Sequence, residues 1–192
     1  KYKLNASSES PIVIPDLKRE DLTKLYAKLK FKVGAEIGVL RGSFSQEICN
    51  NNHGVKLFCI DAWQNYVDDE CPQYRYDRYF KQAKYNLRKY NCEIVRKFSM
   101  DAVKDFSPES LDFVYIDSNH KFDYVMEDII EWSKIVRSGG IVSGHDFTKD
   151  NVSHTFKFGV IEATTVYTTV HQIKPWFVFG GERSATWFWV KI

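Results

Sequence analysis

Two polar runs near the middle of the chain carry residue types that could perform acid–base or metal chemistry. Asp117 and His120 follow one apolar segment, and His145 with Asp146 follow the next one. Two aspartates and one imidazole can hold a divalent cation, with water or substrate oxygens in the other positions. Such an ion would lower the pKa of a bound substrate hydroxyl. Because an imidazole titrates near neutral pH, His120 is the candidate base, and Asp117, His120 and Asp146 form the predicted catalytic group.

Structural roles remain open for these four residues. His145 and Asp146 could be a hydrogen-bonded pair in a loop, and His120 could cap a helix. Asp117 could contact only the amino group of a bound ligand.

A second constellation lies earlier, where Glu36, Gly38 and Gly42 separate an apolar run from a helix-like one. Gly38 permits a tight turn, and Gly42 permits a ligand or the following helix to approach closely. Asp61 ends the next apolar run, where its carboxylate can accept both ribose hydroxyls of a nucleoside. A dinucleotide fingerprint would place glycine where Glu36 stands; a carboxylate repels phosphate and suits a ligand carrying an ammonium and a sulfonium. A plain structural turn and a turn-capping Asp61 are the alternatives.

Further residues are placed beside the same ligand. Arg41 and Ser43 complete the glycine-containing turn. Ser99 and Met100 follow the third apolar run, where a polar group and an apolar side chain could hold a nucleobase. Trp63 could cover the base, although packing within the loop is an equal alternative.

The elements that must position these residues alternate along the chain. Helical spacing is found over 19–30, 43–50, 74–90, 101–106 and 122–138, and strand-like runs over 33–37, 56–60, 93–96, 111–116 and 141–143. Such alternation predicts βαβ units and a parallel sheet. Near the end we expect a helix around 160–170 and an antiparallel pair of strands over 176–179 and 186–191.

Length and composition indicate one ordinary globular domain. The 192 residues are 44% hydrophobic with a net charge of +2, which argues against bulk binding to nucleic acid. No apolar run is long enough to span a membrane. The four cysteines show no metal-type spacing, and the N-terminus lacks a signal-peptide pattern, so we expect a reducing, cytoplasmic location. The chain does not begin with Met, which is consistent with a piece of a longer product.

Several charged stretches are predicted to be solvent-facing helix surface. The basic stretch 75–97 fits a solvated helix face better than a phosphate-binding patch. Asp128 and Glu131 are assigned to the surface in the same way.

The loop 63–76 and the segment 148–158 are expected to form a lid and an acceptor pocket. They contain Tyr66, Asp68, Asp69, Tyr74 and His154.

Four motifs in order resemble class I S-adenosylmethionine (SAM)-dependent methyltransferases: VGAEIGVLRGSFSQEI, CIDAW, LDFVYIDSNHKFDYVMEDIIEWSKIVRSGGIVSGHDF and SATWFWVKI. The resemblance is greatest to methyltransferase family 24, with macrocin O-methyltransferase and cephalosporin hydroxylase-like relatives. It implies a Rossmann-like α/β domain over 14–192 after a tail of 1–13. The implied sheet has seven strands, mostly parallel with an antiparallel last strand, and is flanked by helices.

The resemblance also implies roles for individual residues. Glu36, Gly38 and Gly42 would surround the methionine part of SAM, Asp61 would bind the ribose, and Ser99 with Met100 would line the adenine. Magnesium in relatives is held by residues matching Asp117, His145 and Asp146. Two departures stand out: the position of His145 is normally acidic, and Asn119 replaces an acid that serves as base in some relatives, a role that neighbouring His120 could fill.

The predicted function is methyl transfer from SAM to a small-molecule acceptor, most simply at a hydroxyl. Two alternatives come from other classes: a non-catalytic SAM-binding module, and an RNA-modifying methyltransferase, which would need a basic rim near the crevice. The oligomeric state stays open, with a homodimer as one alternative.

Overall fold

One sheet forms the centre of the computed structural model, which describes residues 9–65, 71–148 and 158–192. Its strand order is β1-β7-β8-β6-β5-β2-β3-β4. The strands are β1 (Ile12–Ile14), β2 (Val33–Ile37), β3 (Lys56–Asp61), β4 (Cys92–Arg96), β5 (Leu111–Ile116), β6 (Val136–Phe147), β7 (Trp176–Phe179) and β8 (Ala185–Val190).

The pairing confirms the predicted mostly parallel sheet with an antiparallel end. Strands β2 to β6 pair in parallel, and β8 lies antiparallel between β6 and β7. The eighth strand, β1, is an addition, since the sequence assigned most of it to the tail. Its three residues are too few to show a strand pattern, and it exists because the outer edge of β7 offers it a parallel partner, with Ile12 opposite Phe177.

Helices cover both faces of the sheet. They are α1 (Arg19–Lys28), α2 (Ser43–Asn51), α3 (Gln73–Leu87), α4 (Ser99–Ala102), α5 (Phe122–Ile135) and α6 (Val160–Val170), with a 3₁₀ turn at Val103–Asp105. Apolar side chains of α1, α2 and α3 pack on one face, and those of α4, α5 and α6 on the other. The predicted helix near 160–170 is confirmed. Helix α5 ends at Ile135, before the two glycines expected to stop it, because the chain already joins β6 at Val136.

The core follows from alternation along the strands. On β5, Phe113 and Val114 are both fully buried, one in each apolar layer. Trp187 and Trp189 on β8 are also buried, and their rings stack with centroids 5.2 Å apart. The described helices include none that is both long and apolar enough to cross a membrane.

Strand order decides where a ligand can bind. Strands β3 and β4 lie on one side of β2, and β5 and β6 lie on its other side. Open α/β sheets bind ligands in the crevice at such a reversal, beyond the carboxyl ends of the strands. The turn after β2 and the polar residues after β3, β5 and β6 all start from that edge.

Candidate active site

The turn after β2 is shaped by a close approach of strand ends. Gly38 has φ +93°, and a Cβ there would lie 2.0 Å from the carbonyl oxygen of Asp117. The Gly38 N–H donates to Ile60 O at 2.8 Å, and the Asp117 N–H donates to Ile37 O at 2.7 Å. Glycine is required because β2, β3 and β5 converge at this point.

Gly42 serves the approach of a helix. It has φ +78° and lies at the N-cap of α2, and a Cβ there would meet Leu87 of α3 at 3.1 Å. Of the two roles predicted for Gly42, contact with a ligand or with a helix, the structure provides the helix contact.

Glu36 lies inside the protein, which corrects the prediction that its carboxylate faces a sulfonium. The side chain is only 2% exposed and accepts a hydrogen bond from Ser45 Oγ on α2. Burial raises the pKa of Glu36 well above its usual value, and the hydrogen bond from Ser45 offsets this only in part. Glu36 therefore ties α2 to β2 and supports the turn from behind.

Asp61 caps the two loops beside the crevice. Its Oδ2 accepts from the Leu40 N–H at 2.8 Å and its Oδ1 from the Trp63 N–H at 2.7 Å. Burial raises the pKa of Asp61, while these amide hydrogen bonds lower it in part. The capping alternative is thus present, with amide hydrogen bonds from Val39, Leu40 and Trp63. It does not exclude a ribose hydroxyl, since a carboxylate has about four lone-pair sites.

Trp63 has no surface for a nucleobase. Its indole is fully buried, donates from Nε1 to Leu40 O at 2.7 Å, and packs on Phe80 with ring centroids 4.9 Å apart. The predicted adenine contact is therefore replaced by the packing alternative.

A cavity of about 300 Å³ opens where Ser99 and Met100 were expected to line a nucleobase. Both residues line it, together with Ser118 from the loop after β5 and Asp128 from α5. The remaining lining residues are Asn65, Phe98, Tyr124 and Glu127.

Asp128 is the residue of this cavity that was wrongly assigned to the surface. It is 2% exposed and accepts hydrogen bonds from Ser99 and, at 2.5 Å, from Ser118. Burial raises the pKa of Asp128 to about 6, against the effect of the two hydroxyl donors. Its spacing carried the signal, because it lies three residues after Val125 and four before Trp132, on the buried stripe of α5.

The charged residues predicted to follow two adjacent strands do converge, although β6 extends to Phe147 and so includes His145 and Asp146. His120 Nε2 lies 2.8 Å from Asp146 Oδ2 and 3.4 Å from Asp117 Oδ1. Burial lowers the pKa of His120, but the two facing carboxylates outweigh it and raise that pKa to about 9. Burial raises the pKa of Asp146, but the hydrogen bonds from His120 and His145 lower it. Together with the charges of the two histidines they outweigh burial, so the pKa of Asp146 is below its usual value. At neutral pH His120 is therefore an imidazolium between two carboxylates.

His145 belongs to the cluster in a different way from the prediction. Its Nδ1 lies 3.5 Å from Asp146 and 3.9 Å from Asp117, and its Nε2 points to Glu182 at 3.9 Å. Asp117, His120 and Asp146 are the residues whose ligand atoms all lie within 4.8 Å of one another. His120, which reaches back from the loop after β5, is thus an additional candidate ligand, and the ligand role of His145 stays a prediction.

Two residues from segments distant in sequence lie near this cluster. Phe158, the last residue of the segment expected to form the lid and acceptor pocket, stacks on the His120 ring with centroids 4.6 Å apart. Glu182, which faces His145 from the loop before β8, was not anticipated, and no motif marks it. Of the expected lid, 66–70 and 149–157, with Tyr66, Asp68, Asp69 and His154, lie outside the described residues.

Arg41 and Ser43 line a different depression from the cavity of Ser99. The Arg41 guanidinium lies over the Tyr79 ring, 4.7 Å from its centroid, and Ser43 begins α2. Both line a groove between the turn and α3 that shares no lining residue with the other cavity.

Comparison with known proteins identifies the family of the chain. The family model of methyltransferase family 24, described as a methyltransferase domain, matches residues 35–147, which is more than half of the chain. No curated protein matches the chain significantly.

Solved structures of methyltransferases share the fold. An O-methyltransferase from Bacillus cereus in complex with S-adenosylhomocysteine (SAH) is 16% identical with a TM-score of 0.64, covering 92% of this chain and 83% of that chain. The O-methyltransferase TomG from Streptomyces achromogenes, in complex with SAM, is 17% identical with a TM-score of 0.61, covering 91% and 80%. A precorrin-6y C5,15-methyltransferase from Geobacter metallireducens is 17% identical with a TM-score of 0.63, covering 90% and 87%.

The fold and the crevice are those of a class I methyltransferase, the SAM-dependent class. Within that class, the chain belongs to methyltransferase family 24.

Proposed function

We propose that the chain transfers the methyl group of SAM to a hydroxyl group of a small-molecule acceptor. One observation carries this proposal: two consecutive residues after β5 serve two different sites. Asp117 belongs to the charged cluster, and Ser118 lines the cavity of Ser99 and Met100. A cofactor base bound in the cavity would therefore lie beside groups able to handle a proton.

The proposed cofactor site uses residues from three strand ends. Ser99 and Met100 would line the adenine, and Asp61 would bind the ribose through its remaining lone pairs. Because Gly38 has no side chain, the methionine part of SAM could approach the backbone of this turn closely, next to Asp117. Glu36 would act through the position of this turn, since its carboxylate is already bonded to Ser45.

The charged cluster has a donor set that fits a divalent cation. Asp117, His120 and Asp146 offer two carboxylates and an imidazole whose ligand atoms lie within 4.8 Å of one another, and His120 would bind the ion after losing its proton. These three residues would hold the ion, with His145 beside them. When bound, such an ion would lower the pKa of an acceptor hydroxyl.

Methyl transfer forms a bond from the acceptor oxygen to the methyl carbon, breaks the bond from that carbon to sulfur, and releases SAH and a proton. The protein's main contribution is to hold oxygen and methyl close and in line. His120 can take the hydroxyl proton only after losing its own. Without added metal we therefore expect the rate to rise with pH up to the His120 pKa of about 9.

The test begins with calorimetry of SAH binding, with and without Mg²⁺ or Mn²⁺. Asp61→Ala should weaken SAH binding by about tenfold or more, equivalent to about 1.4 kcal/mol. Asp105→Ala is the matched control, because Asp105 forms an exposed salt bridge with Lys97 away from the crevice. Thermal unfolding of each variant without ligand separates loss of the loop caps from loss of the ribose contact.

Turnover then separates an enzyme from a binding module. SAM carrying a labelled methyl group is incubated with a panel of hydroxylated small molecules, and label transfer is measured between pH 6 and 10. SAH binding without transfer to any acceptor would favour the non-catalytic alternative. Absence of SAH binding by the folded wild-type chain would contradict the proposed cofactor site.

A further inference from the structure

The groove beside the glycine turn has the composition of an anion site. It has a volume of about 500 Å³ and is lined by Arg41, Ser43, Arg78, Lys81, Gln82 and Asn86, with Tyr85 also contributing; we call it the basic groove. Three of these side chains are cationic, and no carboxylate occurs among the described residues that line it. A concave surface lined by cations and by no carboxylate attracts anions.

Two of the cations are held together by helix geometry. Arg78 and Lys81 lie three residues apart on α3, so they occupy one face of the helix. Like charges at this spacing destabilise a helix slightly, and a bound anion would turn that repulsion into attraction. The carboxylate of Asp77, one turn before Lys81 on α3, pairs with Arg96 at 2.9 Å and also attracts Lys81, so it offsets part of the charge of Lys81.

The third cation is fixed by its surroundings. Asn86 Nδ2 donates to the backbone oxygen of Arg41 at 2.9 Å, and the Arg41 guanidinium rests over Tyr79. A hydrogen bond from Arg41 lowers the pKa of Tyr79. Arg41 is thus held between the turn and α3, which reduces the entropy lost when it binds an anion.

The start of α2 adds a partial positive charge to the same groove. Gly42 is the N-cap and supplies no side-chain cap, and the first turn contains no acidic residue. Ser43, the first residue of α2, lines the groove. Free N–H groups at a helix start favour phosphate oxygens.

We propose that the basic groove binds a phosphate or pyrophosphate group carried by the methyl acceptor, an inference that rests on the proposed methyl transfer. The turn from Gly38 to Gly42 joins the groove to the crevice, so an acceptor anchored here would extend toward the reacting centre. The basic stretch of α3, expected from sequence to be solvated surface, thereby contains a binding face. A compact groove with three cations suits one phosphorylated small molecule, whereas RNA binding is dominated by contacts to many phosphates.

Calorimetry with inorganic pyrophosphate at low ionic strength tests the site directly. The double variant Arg78→Gln/Lys81→Gln should weaken pyrophosphate binding by about tenfold or more, equivalent to about 1.4 kcal/mol. The matched control is Lys84→Gln/Lys89→Gln, which removes two positive charges from the same stretch outside the groove lining. Equal losses in the two double variants would overturn the proposal, because they would indicate a diffuse charge effect.

SAH binding by the same proteins distinguishes the possible failures. The groove variant should bind SAH within about twofold of wild type. If it loses SAH and pyrophosphate affinity in parallel, the groove holds the cofactor carboxylate and the proposal is wrong. If wild type binds pyrophosphate through Arg78 and Lys81 but does not bind SAH, the basic groove is an anion site and the proposed methyl transfer is wrong.

Two further experiments identify the molecule that carries the bound phosphate. Methyl transfer is compared between sugars and their phosphate esters; a preference for the esters that disappears in the groove variant supports the acceptor assignment. Pyrophosphate binding without such a preference would overturn it in favour of a free-anion site. Salt-sensitive binding of a 20-nucleotide RNA that both double variants lose, together with no pyrophosphate binding, would overturn it in favour of RNA.

Discussion

Replacing Gly38 by alanine tests whether the convergence of three strand ends builds the site. A Cβ at position 38 would lie 2.0 Å from the Asp117 carbonyl oxygen, where real Cβ contacts stay above 3.0 Å. A side chain in left-handed backbone costs about 1–2 kcal/mol. Forcing an extra methyl into packed surroundings costs about 1–3 kcal/mol more. Gly38→Ala should therefore lower the free energy of unfolding by about 2–5 kcal/mol, a large share of the roughly 5–15 kcal/mol typical of a domain.

Gly54→Ala provides the matched control. Gly54 also has a positive φ, +82°, but a Cβ there meets nothing within 4 Å. Its cost should be the backbone term alone, about 1–2 kcal/mol. The difference between the two variants therefore isolates the contact between β2 and β5.

Urea and thermal unfolding measure the two variants side by side. At about 2–4 °C per kcal/mol for a chain of this size, the midpoint should fall by about 4–20 °C for Gly38→Ala. SAH affinity should fall as well, because the displaced Asp117 carbonyl moves Ser118 and the cavity with it. Equal destabilisation by the two substitutions would refute the reasoning, since the clash would then cost nothing. Failure of Gly38→Ala alone to fold would be the extreme of the expected result.

Four further substitutions examine contacts at three places. Ser45→Ala should lower unfolding free energy by about 1–3 kcal/mol, because it leaves buried Glu36 without its donor, and Glu36→Gln should cost less; urea titrations giving the opposite order would contradict this. The pKa of Asp128 is about 6 in the folded protein against an ordinary value of 3.8, so the native state holds its proton more tightly and stability falls as pH rises from about 4 to 6. Asp128→Asn should lack that fall, and parallel stability–pH curves for wild type and variant would exclude it. Trp63→Phe should cost about 1 kcal/mol through the lost bond to Leu40 and leave SAH affinity within about twofold; a large loss of affinity at unchanged stability would restore the adenine contact.

Local patterns in the sequence were enough to predict the framework. Apolar runs bounded by turn residues place β2 and β5 with the bounds that the structure has, and the five-fold alternation implies the parallel sheet. Parallel strands bring their carboxyl ends to one edge, so the pairing of Asp117 with Asp146 followed from order along the chain alone. This inference needs no knowledge of side-chain contacts, which is why it holds.

Only the tertiary structure decides which polar groups meet. Asp128 bonds with Ser99, 29 residues away, and Glu36 turns inward to Ser45 instead of outward to a ligand. His120 rather than His145 completes the compact cluster, because loop geometry after β5 fixes how far the ring reaches. These outcomes depend on distances of a few ångströms between elements, and residue type and spacing determine periodicity and order but not such distances. The sequence by itself thus determined the sheet and the edge at which chemistry occurs, whereas tertiary packing assigned each side chain there to support, binding or charge.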